Sequence, residues 1–165
     1  MDWSPFVVCP PQEEAPRPRG FTTPEGLGDR LRVAAFAEKQ AEAAFRWAAE
    51  EFTAAPAALR DAWRRIGAEE GKHLGMILER MAQLGVAVDG RPVSDRLWRS
   101  LQACAAAPEF VAKMRAAEER GKTAEESFRR SLAQRDPVTA ELFGKIADDE
   151  AEHLRVADGF AILPK

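Results

Sequence analysis

Apolar residues recur along most of the chain in alternating steps of four and three, the spacing that lines one face of a helix. The first such stretch runs from about Gly28 to Thr53 and aligns Leu31, Ala35, Phe45, Ala49 and Phe52. Thr22-Thr23-Pro24-Glu25 ahead of it reads as an N-cap followed by proline at the first helical position. Pro56 marks the break. A second helix is expected from about Ala57 to Leu84, with Leu59, Trp63, Ile66, Ile77, Met81 and Leu84 on its stripe and Gly85 as its stop. Ser94 or Asp95 can cap a short helix through Leu97, Trp98 and Leu101 to about Cys104. A third long helix starts at Pro108 and aligns Val111, Met114, Gly121, Phe128 and Leu132. Asp136-Pro137 opens the fourth, with Leu142, Ile146, Ala157 and Phe160 facing inward and an end near Gly159 or Phe160.

No stretch reads as a strand. Short turns near residues 54 and 135 make each pair of long helices an antiparallel hairpin, and the long connection from about 85 to 108 calls for a crossover. The expected fold is therefore all-α: a four-helix bundle of two antiparallel helical hairpins, joined by a crossover that carries a short extra helix. Five of the eleven prolines fall in the first 20 residues, so residues 1–21 read as an extended arm and 22–165 as the bundle domain. Trp3, Phe6, Val7 and Val8 give the arm apolar groups with which to dock.

Composition agrees with helix. The 165 residues are 45% hydrophobic and 31% charged, rich in Ala and Glu and without Tyr. A net charge of −3 gives no global attraction for nucleic acid or an anionic membrane. The basic pairs Arg64–Arg65 and Arg129–Arg130 sit among acids and read as solvated helix faces. Cys9 and Cys104 form no CxxC, which removes a rubredoxin-type iron site, a zinc ribbon and a thioredoxin-type motif. The N-terminal sequence lacks the basic start and long apolar run of a signal peptide, and no run approaches the ~20 apolar residues of a membrane span. A cytoplasmic location, with no membrane association, is the expectation.

The stripes carry an anomaly. Glu38, Glu70, Glu118 and Glu150 occupy positions that periodicity assigns to the core. A buried carboxylate costs several kcal/mol unless it is paired or protonated, on the order of what a whole core residue contributes. Four of them in one core need a compensating cation. The two histidines of the chain each follow a Glu by three residues, in Glu70-Gly71-Lys72-His73 and Glu150-Ala151-Glu152-His153. That spacing puts carboxylate and imidazole on one helix face. With 18 glutamates in 165 residues, both histidines would have this partner by chance about one time in a hundred.

The set repeats. Glu38, Glu70 and His73 map onto Glu118, Glu150 and His153 by one shift of 80 residues, and Ile66–Leu74 resembles Ile146–Leu154. The pattern is that of a duplicated helical hairpin. From Glu38 to the turn is about 24 Å of helix, and from the turn back to Glu70 about 21 Å, so the two acids return to one level. Four Glu and two His at one height form the ligand set of a dinuclear carboxylate site in a helix bundle. In such a site Glu70 and Glu150 bridge the ions, Glu38 and Glu118 are terminal ligands, and His73 and His153 bind one ion each. Oxygen donors with imidazole suit iron or manganese better than structural zinc.

Blander readings compete. A single Glu-x-x-His is usually a surface pair, and only the doubled, registered set outweighs that reading. Glu42 shares the stripe of Glu38, but the shift of 80 pairs it with Lys122, which favours Glu38 as the ligand. Glu119 falls beside the stripe that holds Glu118, and Glu125 faces inward. Glu69 and Asp149 precede the bridging residues and are candidates to accept a hydrogen bond from the opposite histidine; exposed helix acids are an equal alternative.

Over about residues 22–160 the chain resembles a family of bacterial ferritin-like proteins of unassigned function, related to the tRNA hydroxylase that acts on 2-methylthio-isopentenyl-adenosine. The likeness rests on Thr23-Pro24-Glu25-Gly26, Ala37–Glu42, Ala68–His73, Glu118–Gly121 and Asp148–His153. Gly71 stands where bacterioferritins commonly place a haem-ligating Met, the CxxC domain of rubrerythrins is missing, and there is no Tyr for a reductase radical. The resemblance implies two iron ions, or a Mn/Fe pair, without haem. It implies an O2- or peroxide-dependent oxidoreductase, in one version a hydroxylase, served by an external electron donor and acting on a small molecule or modified nucleoside. The alternatives are a ferroxidase or iron-storage protein and a metal-free structural bundle; a homodimer stays open. Gly121, one turn past Glu118, leaves room for a substrate in the leading reading.

Overall fold

A computed structural model describes residues 1–20 and 23–161, with the side chains of 156, 157 and 159–161 excepted. The expected inward positions Ala157 and Phe160 therefore lie outside the described residues, as does Thr22. The described chain is helical: α1 Pro24–Glu51, α2 Ala57–Gln83, α3 Arg96–Gln102, α4 Ala107–Leu132 and α5 Pro137–Ala161. Among the described residues no strand forms; one isolated bridge pairs Val8 with Val93.

The helix ends follow local chemistry. Thr23 Oγ1 accepts from Gly26 N–H at 3.1 Å, and Pro24 takes the first helical position, so α1 begins ahead of the periodic stretch expected from about Gly28. Gly85 closes α2 at φ 67°, while Val86 N–H reaches back to Met81 C=O at 2.8 Å. A left-handed residue with a six-to-one bond is the helix stop that glycine permits. Asp136 Oδ1 accepts from Thr139 N–H at 3.0 Å and starts α5. Glu109 supplies an acid in the first turn of α4 and accepts from Ala105 N–H at 3.0 Å. The short α3 is capped from a distance: Gln40, buried on α1, accepts from Trp98 N–H at 3.0 Å and donates to Ser94 C=O at 3.3 Å.

The chain divides into two compact units. The first comprises Met1–Phe45 with Gly67–Gln102. Within it α1 and α2 run antiparallel, as contacts of Gly28 with Val86, Arg32 with Ala87 and Glu38 with His73 require. Leu31, Ala35, Phe36, Ile77, Met81 and Leu101 are buried there. Trp3 and Phe6 are buried too, with Trp3 edge-on to Phe36 and Trp98 at ring distances of 5.2 and 5.8 Å. Val7 remains exposed. The arm is also held by its backbone, through Val93 N–H to Val7 C=O and Cys9 N–H to Val93 C=O, both 2.9 Å. Asp29, 2% exposed, receives Arg19 at 2.8 Å, Arg91 at 3.0 Å and Arg32 at 3.3 Å. Its carboxyl is held well below the usual range, chiefly by the Arg19 side-chain hydrogen bond, which with the Arg19 backbone N–H and the charge of Arg91 outweighs the effect of burial.

The second unit comprises Arg46–Ile66 with Ala103–Lys165. Here α4 packs on α5. Phe110, fully buried, is ringed by Trp63, Phe52 and Trp47 at 5.3, 5.9 and 6.2 Å. Phe128 stacks on Phe143 at 4.8 Å. The buried stripe of α5 runs Thr139, Phe143, Ile146, Glu150, His153. It passes through Phe143, and Leu142 lies half-buried on its flank. Phe110 likewise displaces its neighbour Val111 as the deep residue of the first turn of α4.

Candidate metal centre

Burial confirms the anomaly in the stripes. Glu38, Glu70, His73, Glu118, Glu150 and His153 are each at most 7% exposed. In the first unit, one ligand atom from each of Glu38, Glu70 and His73 lies within 4.8 Å of the others. His73 Nδ1 is 3.4 Å from Glu70 Oε2 and 3.6 Å from Glu38 Oε2. In the second unit Glu118, Glu150 and His153 meet the same criterion. His153 Nδ1 is 3.8 Å from Oε2 of both acids. Each unit thus brings together one complete set of the residues that the shift of 80 relates. In each, the helical i to i+3 step aligns Glu with His, and the neighbouring helix supplies the other Glu.

The donor chemistry fits a cation. Without a metal, the His73 imidazolium is a buried positive charge that faces the Glu38 and Glu70 carboxylates. Burial alone would lower the pKa of His73, but the Glu38 and Glu70 carboxylates outweigh it and hold the ring up to about 11. A metal ion can replace that proton with two charges, provided that the ring is neutral when it binds. Buried carboxylate oxygens and an imidazole nitrogen converging within a few ångströms are groups that can hold a metal ion.

Glu69 is half-buried and Asp149 exposed. Glu119 is exposed and pairs with Arg115 at 2.6 Å, apart from buried Glu118 on the adjacent position. Glu125 is buried. Among the described residues, and leaving aside its own turn of backbone, a Cβ at Gly121 would meet Glu125 Oε1 at 4.0 Å, an ordinary contact, so there is room for a methyl group one turn past Glu118. Gly71 is different: a Cβ there would stand 3.1 Å from Glu42 Oε1 and 3.3 Å from its Cδ. This approach crosses from α1 to α2, and no local sequence signal announces it.

The chain matches, over residues 4–160, the model of a family described as "Protein of unknown function (DUF455)". The chain belongs to that family. No curated protein and no solved structure matches it. The matched segment contains all six carboxylate and histidine residues above together with the arm from Ser4 onward. Among the described residues no helix is long and apolar enough to cross a membrane.

Proposed function

We propose that this member of the family is a dinuclear non-haem metal protein with a ferritin-like bundle, carrying two iron ions or a Mn/Fe pair, and that it is an O2- or peroxide-dependent oxidoreductase. The observation that carries the reading is the doubling of one buried half-site, Glu38, Glu70 and His73 in one unit and Glu118, Glu150 and His153 in the other. A single set would serve one cation; two sets with four carboxylates have the charge and donor count for a pair. In this reading Glu38, Glu70 and His73 would hold metal in the first unit and Glu118, Glu150 and His153 in the second, with the four carboxylates supplying the balancing negative charge. Two reduced iron ions supply the electrons that O2 or peroxide takes up. The buried surroundings keep bulk water from the reacting centre. A small molecule or modified nucleoside is the substrate class of this reading, and the absence of a side chain at Gly121 is compatible with its approach. Electrons for repeated turnover come from a separate reductase, and Glu69 and Asp149 orient the histidines. A cytoplasmic setting accords with the reduced iron that such a cycle requires.

Metal analysis of protein purified without chelator, before and after anaerobic loading with ferrous iron, tests the reading directly. Two ions per chain are expected, with loss of both from a Glu70→Ala, Glu150→Ala double variant. No bound iron or manganese after reconstitution would leave a structural bundle. O2 added to the ferrous protein should be consumed in proportion to loaded iron. Gel filtration distinguishes an iron store, which needs a shell of many subunits, from an enzyme that works as a monomer or dimer.

A further inference from the structure

We propose that Glu42 is an auxiliary carboxylate of the first half-site and makes the two metal positions unequal, so that the ion held by Glu38, Glu70 and His73 binds first and more tightly. The inference rests on the dinuclear reading above but is carried by a different observation. Glu42 follows Glu38 by four residues, one helical turn along the same face of α1. Its carboxylate lies across Gly71, the residue next to Glu70: an added Cβ would stand 3.1, 3.3 and 3.7 Å from Oε1, Cδ and Oε2. Contacts of 3.1 and 3.3 Å are tighter than ordinary packing, so a Cβ at 71 would push the carboxylate back by a few tenths of an ångström, and glycine lets it lie where it does. Glycine inside a helix costs roughly 0.5–1 kcal/mol relative to alanine. That cost is incurred one residue from a ligand.

The second half-site has neither half of this device. The shift of 80 that relates the ligands puts Lys122 opposite Glu42 and Ala151 opposite Gly71. Lys122 Nζ lies 3.5 Å from the carboxylate of Glu126 on the same helix. Glu42 sets an anion across the helix position next to Glu70, whereas the matching Lys122 is paired with Glu126 and the buried acid of the second unit, Glu125, stands at the place of Phe45, so the two sets sit in unlike fields and differ in attraction for a divalent ion.

The test is a Mn2+ titration of the full chain, in which the EPR signal of unbound Mn2+ counts the free ion. The parent protein should bind in two steps separated by about ten-fold or more in affinity. His73→Gln should remove the tighter step and His153→Gln the weaker. Glu42→Gln should weaken the tighter step by about ten-fold and leave the weaker one within two-fold. Gly71→Ala keeps every ligand and favours helix, yet it pushes the Glu42 carboxylate back by a few tenths of an ångström, so it should weaken the tighter step in the same direction as Glu42→Gln but by a smaller factor. A double exchange, Lys122→Glu with Ala151→Gly, should bring the two steps together. Two equal steps in the parent, or parent-like titrations of both Glu42→Gln and Gly71→Ala, would overturn the proposal while leaving the metal pair standing. Absence of any binding in the parent would remove the dinuclear reading itself.

Discussion

The two candidate half-sites share one set of residue types and differ in nearly everything around them. Around Glu38, Glu70 and His73 the chain places Glu42 against Gly71 and apolar Phe45 one turn further on. Around Glu118, Glu150 and His153 the same register holds Lys122, Ala151 and the buried acid Glu125. The units that carry them are built differently too. The first is closed by the arm, with Trp3 and Phe6 on Phe36 and Arg19 on Asp29. The second is centred on Phe110 within a group of aromatic rings. A repeated ligand register thus coexists with unlike surroundings, and it is in the surroundings that the two metal positions can acquire separate tasks.

The largest effects should come from the cores. Phe110→Ala should destabilise by about 3–5 kcal/mol, since a fully buried ring leaves a cavity among three other rings. Phe36→Ala should cost a comparable amount and, in addition, free the arm to proteases. If arm cleavage rose equally in both variants, the arm would not belong to the first unit alone. Next is the ligand set itself. Glu118→Ala should lower metal affinity by more than ~100-fold, beyond what outer-sphere partners produce. Equal metal loss in Glu119→Ala would refute the assignment of the buried acid as the ligand.

Asp29→Asn should cost about 2 kcal/mol, because guanidiniums that are partly withdrawn from water lose their charged acceptor. Its contribution has a definite sign with pH. The folded-state pKa of Asp29 is depressed, so its stabilisation is complete above the ordinary carboxylate pKa of ~3.9 and disappears as the pH falls below it. Denaturation melts of parent and variant should therefore converge in strong acid, and parallel curves down to the lowest pH would show that the cluster is not the source.

His73 works in the opposite sense. Its folded pKa of about 11 lies above the ordinary ~6.5, so its ion pairs stabilise the apo protein fully below ~6.5. That stabilisation is lost as pH rises toward 11. Metal entering the first half-site must displace this proton, so binding at neutral pH should release about one proton there and tighten as pH increases. Calorimetry in two buffers of different ionisation heat measures the release; none from the parent, or an equal release from His73→Gln, would contradict it. The smallest effect belongs to Glu119→Ala, within about 0.5 kcal/mol, since it removes only an exposed pair with Arg115.

Much of this was legible before any coordinates. The long helices follow from the spacing of Leu31, Ala35, Trp63, Ile66, Met114 and Ile146, because a period near 3.6 has one regular structure that buries it. Thr23, Gly85 and Asp136 marked helix ends because caps are made by residues only a few positions away. Glu38 and Glu118 could be assigned to the core by register alone, and both are buried. Leu142 and Phe143 show the resolution of such reasoning: neighbours on a helix differ by about 100° in direction, and both were apolar, so pattern could not say which one lay deepest.

What the sequence determined by itself is therefore what depends on short separations: helices, caps, the Glu-x-x-His pairs and their repetition at a distance of 80. Only the tertiary structure decided what depends on distant approach. It brought Gln40 to cap α3, gathered Arg19, Arg32 and Arg91 on Asp29, and laid Glu42 across Gly71. The physical reason is the range of the forces concerned. Helix periodicity and capping are set by backbone geometry over one or two turns, whereas a carboxylate lying on a glycine of another helix exists only after both helices have packed.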